Sequence, residues 1–308
     1  MASDRPVLGI LLMLGFCVAA PMGDALAKLL GDHMEVAQLV AIRMALQVVL
    51  LAPIILWGAI PLAMSPRALQ LSALRAVLHM LGIGLMFLSL QYLPLADAVA
   101  IAFVMPFIML LLGRYVLGEQ VGHRRIAACC VGFLGTCMVM QPSFAAVGWP
   151  ALLPVGVAFI FAFFMLVTRQ LAQSVDPIAL QMVSGLFACA FLLPVFLLLE
   201  STPGFRLVWP EMSAWGFALA MGALGTVAHL LMTWALRFAP SATLAPMQYL
   251  EIPVAALLGL LIFEDFPNGL ALAGIAVTVA AGLYVILRER QLSRLEPSAP
   301  PQASSVGE

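Results

Sequence analysis

The sequence predicts an all-α integral membrane protein whose ten transmembrane helices form two inverted five-helix repeats. Three observations predict this fold class: the composition, the recurrence of apolar runs, and a similarity between the two halves of the chain. Of the 308 residues, 64% are hydrophobic and 9% are charged, and the mean hydropathy is +1.09. Because a soluble domain carries about 25% charged residues, most of this chain is expected to lie in lipid.

Apolar runs long enough to cross a bilayer recur along nearly the whole chain. A hydrocarbon core of about 30 Å requires roughly 20 helical residues. The runs lack the alternation of barrel strands, and lipid cannot satisfy an open backbone, so we expect helices. The predicted spans are residues 7–30, 37–57, 69–90, 96–117, 126–141, 152–168, 178–199, 214–236, 242–263 and 269–287.

The positive residues predict the topology. If the N-terminus is cytoplasmic, ten spans place eleven arginines on or near the inner side, and only Lys28, Arg43 and Arg206 lie nearer the outer side. Since Lys and Arg are enriched in cytoplasmic loops, we expect both termini in the cytoplasm and an even number of spans. The expected location is the bacterial inner membrane.

The two halves share features at matching positions. Lys28 and Glu35, which flank the turn after span 1, correspond to Arg169 and Asp176 after span 6. The turn YLPLADA at 92–98 resembles FAPSATL at 238–244. Each half holds five spans, so the second copy enters the membrane inverted, as in many transporters. The predicted divisions are 1–145 for the first repeat, 146–290 for the second repeat and 291–308 for a disordered cytoplasmic tail.

The segment APMQYLEIPVAALLGLLIF, residues 245–263, places a carboxylate inside an apolar span. A charge at the bilayer centre costs roughly 2.5–3.5 kcal/mol, so such a group is expected to face a cavity, a partner or a substrate. Gln248 and Glu251 share one helix face, and two prolines bracket them. We therefore predict Glu251, Gln248 and the adjacent Tyr249 as substrate contacts. A structural ion pair of Glu251 with a neighbouring Arg or His is the alternative.

Five further ionisable residues lie within or beside the predicted spans. Asp24 and Lys28 have the spacing of a structural ion pair on one helix face, with a substrate contact as the alternative. Arg43 is predicted either to bind an anionic group of the substrate or to pair with Asp24. His79 is a candidate substrate contact. His229, like Glu251, is a candidate for proton coupling, although both histidines also suit hydrogen-bonded packing.

Aromatic side chains are expected to supply stacking surfaces in a cavity between the repeats, lined by spans 1, 2, 3, 4, 6, 8 and 9. Such walls suit a planar or cationic solute. The alternative is that these rings only pack between helices. The candidates are Phe103, Phe107, Phe163, Trp234 and Tyr249.

These features resemble the drug/metabolite transporter superfamily, specifically its ten-span EamA-type members. The resemblance covers roughly residues 7–288 and rests on the five-plus-five spans, YLPLADA, the GEQ at the inner end of span 4, and TLAPMQYLEIPVAALLGLLIFEDFP. It is sharpest in span 9, where the chain is most similar to uptake systems for S-adenosylmethionine and riboflavin. It implies a secondary transporter with a central cavity, cytoplasmic termini and no ATP-hydrolysing domain.

The expected function is therefore secondary active transport of a small organic metabolite, such as riboflavin or S-adenosylmethionine, by alternating access. Export of amino acids or toxic organics on the same fold is the alternative, and the sequence leaves open a monomer or a homodimer. A membrane-embedded enzyme is disfavoured because the sequence holds no HExxH or paired-aspartate motif. A channel would need a filter repeated by oligomer symmetry. No cofactor, metal or nucleic acid is expected, and the five cysteines lack metal-ligand spacing.

Overall fold

The computed structural model describes residues 5–105, 107–108, 123–199, 202, 204–239 and 244–295. This part of the chain is helical and contains no strand. Short 3-10 segments at Trp149–Leu152 and Ala245–Leu250 precede α6 and α9. The end of predicted span 4 and the tail from residue 296 lie outside the described residues. The helices are α1 (Pro6–Leu30), α2 (Val36–Trp57), α3 (Pro66–Leu90), α4 (Leu95–Ala102), α5 (His123–Val147), α6 (Leu153–Ala172), α7 (Pro177–Leu199), α8 (Met212–Phe238), α9 (Glu251–Phe263) and α10 (Gly269–Leu295).

Seven helices of the described chain are long and apolar enough to cross a membrane, which agrees with the predicted multi-pass membrane protein, and the described part is all helical. Two shorter apolar helices are Met247–Phe263 and Gly269–Tyr284. Helix α10 continues to Leu295, past the predicted start of the tail at residue 291. The seven long spans are Val7–Leu30, Val36–Trp57, Pro66–Leu90, Cys130–Val147, Trp149–Ala172, Pro177–Leu199 and Met212–Phe238.

Short polar residues fix the starts of three helices. The side chains of Ser65, Asp176 and Asn268 accept hydrogen bonds from backbone N–H groups in the first turns of α3, α7 and α10, at 2.9 to 3.3 Å. These N–H groups have no partner within the helix, so the caps stabilise each start by about 1 kcal/mol. In α3 and α7 a proline directly follows the cap, where its missing N–H costs no hydrogen bond.

Contacts between chain segments define two ends of the bundle. At the end where α1 begins, the Arg5 N–H donates to the Phe238 carbonyl oxygen at 3.1 Å. Arg237, also at the end of α8, pairs with Asp176 between α6 and α7 at 3.8 Å. We name this the basal end, and the opposite one, where α1 finishes, the apical end. Helices α1 and α6 therefore run in opposite directions through the bundle.

Lys28 ties three elements together at the apical end. Its Nζ donates to the Leu93 carbonyl oxygen at 3.0 Å and pairs with Asp265 Oδ2 at 3.3 Å, and it lies 4.8 Å from the centroid of the Phe263 ring. The predicted pair of Asp24 with Lys28 is thus wrong, because Lys28 reaches the turns after α3 and α9. Asp24, one turn deeper on α1, faces the interior instead.

Helices α5 and α10 approach each other closely through glycines. A Cβ at Gly135 would lie 2.8 Å from the Gly274 carbonyl oxygen and 2.9 Å from the Thr278 nitrogen. A Cβ at Gly132, one turn earlier on α5, would lie 3.6 Å from the Ala281 Cβ, an ordinary contact. Small residues let helices associate in lipid, where the hydrophobic effect supplies little driving force.

We expect Gly135→Ala to lower the free energy of unfolding by about 1–3 kcal/mol, because the methyl group would meet backbone atoms of α10 that cannot yield. Gly132→Ala is the matched control and should change stability little. Thermal unfolding of the purified protein in detergent measures both. Equal shifts of the two midpoints would contradict the close approach at Gly135.

Candidate functional site

A cavity lies among α1, α2, α3, α4, α6, α8 and the 3-10 segment leading into α9, the elements that the sequence predicts to line it. Its empty volume is about 850 Å³, which includes the part that opens to solvent. The polar side chains in its wall are Asp24, Arg43, His79, His229, Gln248 and Glu251. The aromatic side chains in its wall are Phe16, Phe103, Phe161 and Phe164.

The interruption of span 9 positions its polar residues. The chain winds as a 3-10 helix through Ala245–Leu250 and becomes α-helical only at Glu251. The tighter 3-10 winding changes the rotation per residue, so neighbouring side chains point to different surroundings. Gln248 and Glu251 face the cavity. Tyr249 packs instead against Gly282 of α10 and against the Phe103 ring, 5.1 Å away between centroids.

Three charged side chains face the cavity without a direct partner. Within the described chain, Asp24, Arg43 and Glu251 form no hydrogen bond and no ion pair within 4.0 Å. Asp24 and Arg43 attract each other only at longer range. Because a charge withdrawn from water is costly unless it is paired, this arrangement favours an occupant that carries complementary charges.

Gly225 of α8 sets the position of Arg43. The guanidinium lies against the Gly225 backbone, where a Cβ would overlap its Cζ and Nη atoms. A Cβ at Gly23 of α1 would lie 3.7 Å from Nη1, an ordinary contact. The Arg43 Cζ also lies 6.0 Å from the Phe87 ring centroid. The missing side chain at Gly225 therefore gives the guanidinium its place between α1, α2 and α8.

Two imidazoles and an amide offer unpaired polar atoms to the cavity. The His79 and His229 rings lie 4.2 Å apart between centroids, edge to face. Among the buried side chains that the structure describes, His79 Nε2, His229 Nδ1 and Gln248 Oε1 have no hydrogen-bond partner. Buried polar atoms are nearly always hydrogen-bonded, so these three atoms are suited to bind the edge of a polar ring.

The aromatic side chains that α6 contributes to the cavity wall differ from the one that the sequence predicts. The predicted Phe163 is 42% exposed and points away from the cavity. Phe161 and Phe164 line it, and Phe161 stacks on Phe16 at 6.4 Å between centroids. The helical pattern carries the signal, because the wall residues Val157, Phe161 and Phe164 recur at i, i+4 and i+7.

Two other predicted stacking surfaces pack between helices, as does Tyr249. The Phe107 ring stacks on Phe133 of α5 at 5.6 Å between centroids. Trp234 belongs to an apolar cluster that includes Leu51 of α2 and Met182 of α7. These rings lie away from the cavity and pack between helices, which was the alternative to a stacking role. Phe103 does line the cavity.

Comparison with known families identifies the kind of protein that holds this cavity. The EamA-like transporter family matches the chain twice, at residues 7–141 and 148–288. The chain belongs to the EamA-like transporter family. The resemblance seen in the sequence is thereby confirmed, and this EamA-like protein is a membrane transporter rather than an enzyme.

Named relatives of this EamA-like protein carry small organic molecules. It is 31% identical over 220 residues to a riboflavin transporter of Rhizobium johnstonii, over 71% of each chain. It is 22% identical over 285 residues to an S-adenosylmethionine uptake transporter of Rickettsia prowazekii, over 92% of this chain and 94% of the relative. A pseudopaline exporter of Pseudomonas aeruginosa is 25% identical over 288 residues, 91% and 96% of the two chains. The protein is therefore a small-metabolite transporter.

A solved structure has the same fold as this EamA-like protein. A crystal structure superimposes with a TM-score of 0.69 at 19% sequence identity, covering 92% of this chain and 98% of the other. At that identity the likeness concerns the fold alone.

We expect Phe161→Leu to weaken solute binding by about threefold to tenfold, because an aromatic contact adds roughly 0.5–1.5 kcal/mol beyond its buried area. Phe163→Leu, two residues along the same helix, is the control and should leave affinity unchanged. Equilibrium binding of a radiolabelled solute to purified protein measures both variants. A larger effect at residue 163 would contradict the assigned wall.

Proposed function

We propose that this protein is a secondary active transporter that moves a small organic metabolite across the bacterial inner membrane by alternating access. The observation that carries the proposal is a cavity in which three charged side chains and three polar atoms lack partners. A purely structural interior would pair these groups, since each unpaired one lowers stability. In a site that binds a polar solute, these unpaired groups are available to bind the solute.

We further propose ten spans in two inverted repeats, residues 1–145 and 146–290, with both termini cytoplasmic. The opposite directions of α1 and α6 support the inversion. The interruptions after Ala102 and through Ala245–Leu250 support it as well, because they fall at corresponding positions of the two halves. In transporters of this kind, broken helices at the repeat interface form the substrate site.

The charged side chains define one half of the proposed substrate. When ionised, Asp24, Arg43 and Glu251 together carry one net negative charge. Their best complement is a solute with a carboxylate for Arg43, cationic groups for Asp24 and Glu251, and a net positive charge. Arg suits a carboxylate because its planar fork donates two parallel hydrogen bonds.

The aromatic side chains define the other half. Phe103, Phe161 and Phe164 present ring surfaces, and the unpaired atoms of His79, His229 and Gln248 suit the edge of a heterocycle. S-adenosylmethionine joins an adenine ring to a cationic, amino-acid-bearing end and so matches both halves. Riboflavin matches the aromatic half only, because it has no charged group at neutral pH.

Glu251 is proposed as a substrate contact, a proton acceptor, or both. A proton and a cationic group of the solute neutralise the same carboxylate, so binding one at this site disfavours binding the other. His229 is the second candidate for carrying a proton, since imidazole titrates near neutral pH. Such competition couples solute movement to a proton gradient.

Flux into liposomes that contain the purified protein tests the proposal. We expect saturable transport of radiolabelled S-adenosylmethionine that responds to an imposed pH gradient, with riboflavin transported less efficiently. A flux that rises linearly with concentration would instead indicate a channel. Absence of saturable flux for both solutes would contradict the proposed substrate class.

Export of amino-acid-derived solutes is the second candidate, because Arg43 and Asp24 together also suit an amino-acid group and an exporter is among the relatives. Growth distinguishes the directions. Cells that lack S-adenosylmethionine synthesis, or riboflavin synthesis, should grow on external supply if the protein imports that solute. Resistance to a toxic amino-acid analogue without growth rescue would favour export.

A further inference from the structure

Arg75 of α3 is the largest fully buried polar side chain in the described chain, and it lies outside the cavity wall. It sits one helical turn basal to His79. Its guanidinium donates to Thr168 Oγ1, Ser184 Oγ and Gln181 Oε1, each at 2.9 Å. A longer contact of 3.5 Å reaches Thr233 Oγ1. We name these five residues the Arg75 cluster: Arg75, Thr168, Gln181, Ser184 and Thr233.

The partners of Arg75 are neutral. Among the residues that the structure describes, no carboxylate lies within 4.0 Å of the guanidinium. A buried charge with only neutral partners is costly, and an apolar side chain of similar volume often gives a more stable fold. Stability alone therefore gives little reason for an arginine at this position.

The Arg75 cluster joins helices across the two matched halves of the chain. Thr168, Ser184 and Thr233 belong to α6, α7 and α8 of the second half, whereas Arg75 belongs to α3 of the first. Gln181 extends the cluster to α2, since its backbone oxygen and its side chain both bond the Gln47 amide, at 2.7 and 3.0 Å. Four helices thus meet at one guanidinium at the basal side of the cavity, and α2 joins them through Gln181.

Arg75 also contacts the cavity wall by two routes. Its Cζ lies 4.8 Å from the centroid of Phe164, which in turn stacks on His79 at 4.9 Å. On the other route, Thr233 Oγ1 donates to the His229 backbone oxygen at 2.6 Å. The two histidines with unpaired nitrogen atoms are therefore both connected to the Arg75 cluster.

We propose that Arg75 is a positioning residue for transport: it holds Phe164, His79 and His229 in the cavity wall and closes the cavity toward the basal end. Opening on that side requires the guanidinium to break its hydrogen bonds to these neutral side chains. Water can replace those hydrogen bonds, and no buried carboxylate is left without its partner, because none is bound to Arg75. This inference rests on the proposed alternating access, and it is independent of which solute is carried.

Accessibility of a single cysteine tests the proposal. In a variant without native cysteines, Leu78→Cys places a thiol in the cavity wall next to His79. A membrane-impermeant maleimide is added to one side of liposomes at a time, without solute. We expect labelling from the apical side in the parent, and Arg75→Met should raise the rate of labelling from the basal side by about tenfold or more, because it removes hydrogen bonds to a charged group.

Two further variants separate positioning from general destabilisation. Ser72→Ala, also fully buried on α3 but outside the Arg75 cluster, should leave the labelling pattern unchanged. Arg75→Lys should restore basal closure only in part, because an ammonium keeps the charge but lacks the planar fork. Solute affinity measured in parallel should fall for Arg75→Met and recover partly for Arg75→Lys.

Unchanged basal labelling in a folded Arg75→Met protein would overturn the inference and leave the proposed transport intact. Equal labelling of the parent from both sides would show that the basal side is open with Arg75 in place, and it would also overturn the inference; saturable flux into the same liposomes tests the proposed transport separately. If Arg75→Met does not fold, Gln181→Met removes an acceptor of Arg75 and the link to Gln47, and it should also raise basal labelling. No rise in that variant would likewise overturn the inference.

Discussion

Glu251→Gln is expected to lower S-adenosylmethionine transport by roughly a hundredfold and to remove its dependence on pH. Two opposite charges about 4 Å apart attract each other by about 4 kcal/mol near a protein surface, so losing most of that attraction costs about two factors of ten. Glutamine keeps the shape and hydrogen bonding of the side chain but cannot ionise. Flux into liposomes across a range of pH values measures both effects.

The control for this substitution is Glu264→Gln, at the exposed end of the same helix and outside the cavity. It should transport like the parent. Normal transport by Glu251→Gln at every pH would show that neither the charge nor a proton at this position is required. If the variant fails to fold but regains its fold when Arg43 is also neutralised, Glu251 has a structural role instead.

Gly225→Ala is expected to weaken solute binding by about tenfold to a hundredfold while the protein stays folded. The new methyl group overlaps the Arg43 guanidinium, which is the flexible end of a long side chain and can move aside. Moving it removes a hydrogen-bonded charge pair with the solute, worth about 1.5–3 kcal/mol. The substitution displaces the guanidinium without deleting any charged group.

Gly23→Ala is the matched control, since its methyl group would meet Arg43 at an ordinary contact distance. Binding to purified protein, with size-exclusion profiles as the measure of folding, should show a loss for residue 225 only. An equal loss at both positions would indicate general helix distortion. No loss at either position would mean that Arg43 does not contact the solute.

The position of polar residues inside apolar spans follows from the sequence because the membrane leaves them few alternatives, whereas their part in binding the solute stays a prediction. Glu251, Gln248, Arg43 and both histidines face one cavity, as their cost in lipid implies. The helices were predictable for the same reason, since a backbone in lipid must satisfy its own hydrogen bonds.

Aromatic residues were predicted less well because lipid and protein interiors accept them equally. Facing away from the cavity costs Phe163 and Trp234 no free energy. The sequence therefore indicates which side of the helix they occupy only through the periodicity of the neighbouring apolar residues. The 3-10 winding that turns Tyr249 toward α10 leaves no sequence signal beyond its prolines. Lys28 illustrates a second limit, because its partner Asp265 is remote in sequence while Asp24 stands at the helical spacing.

The charges of the cavity have an electrical consequence. With Asp24, Arg43 and Glu251 ionised, the empty carrier holds one net negative charge, and a monovalent cationic solute cancels it. Moving one elementary charge through the membrane potential involves about 2.3 kcal/mol per 100 mV, so voltage should act on the return of the empty carrier rather than on the loaded one. A potential that is negative inside would then draw the empty site toward the outside, ready for the next cation.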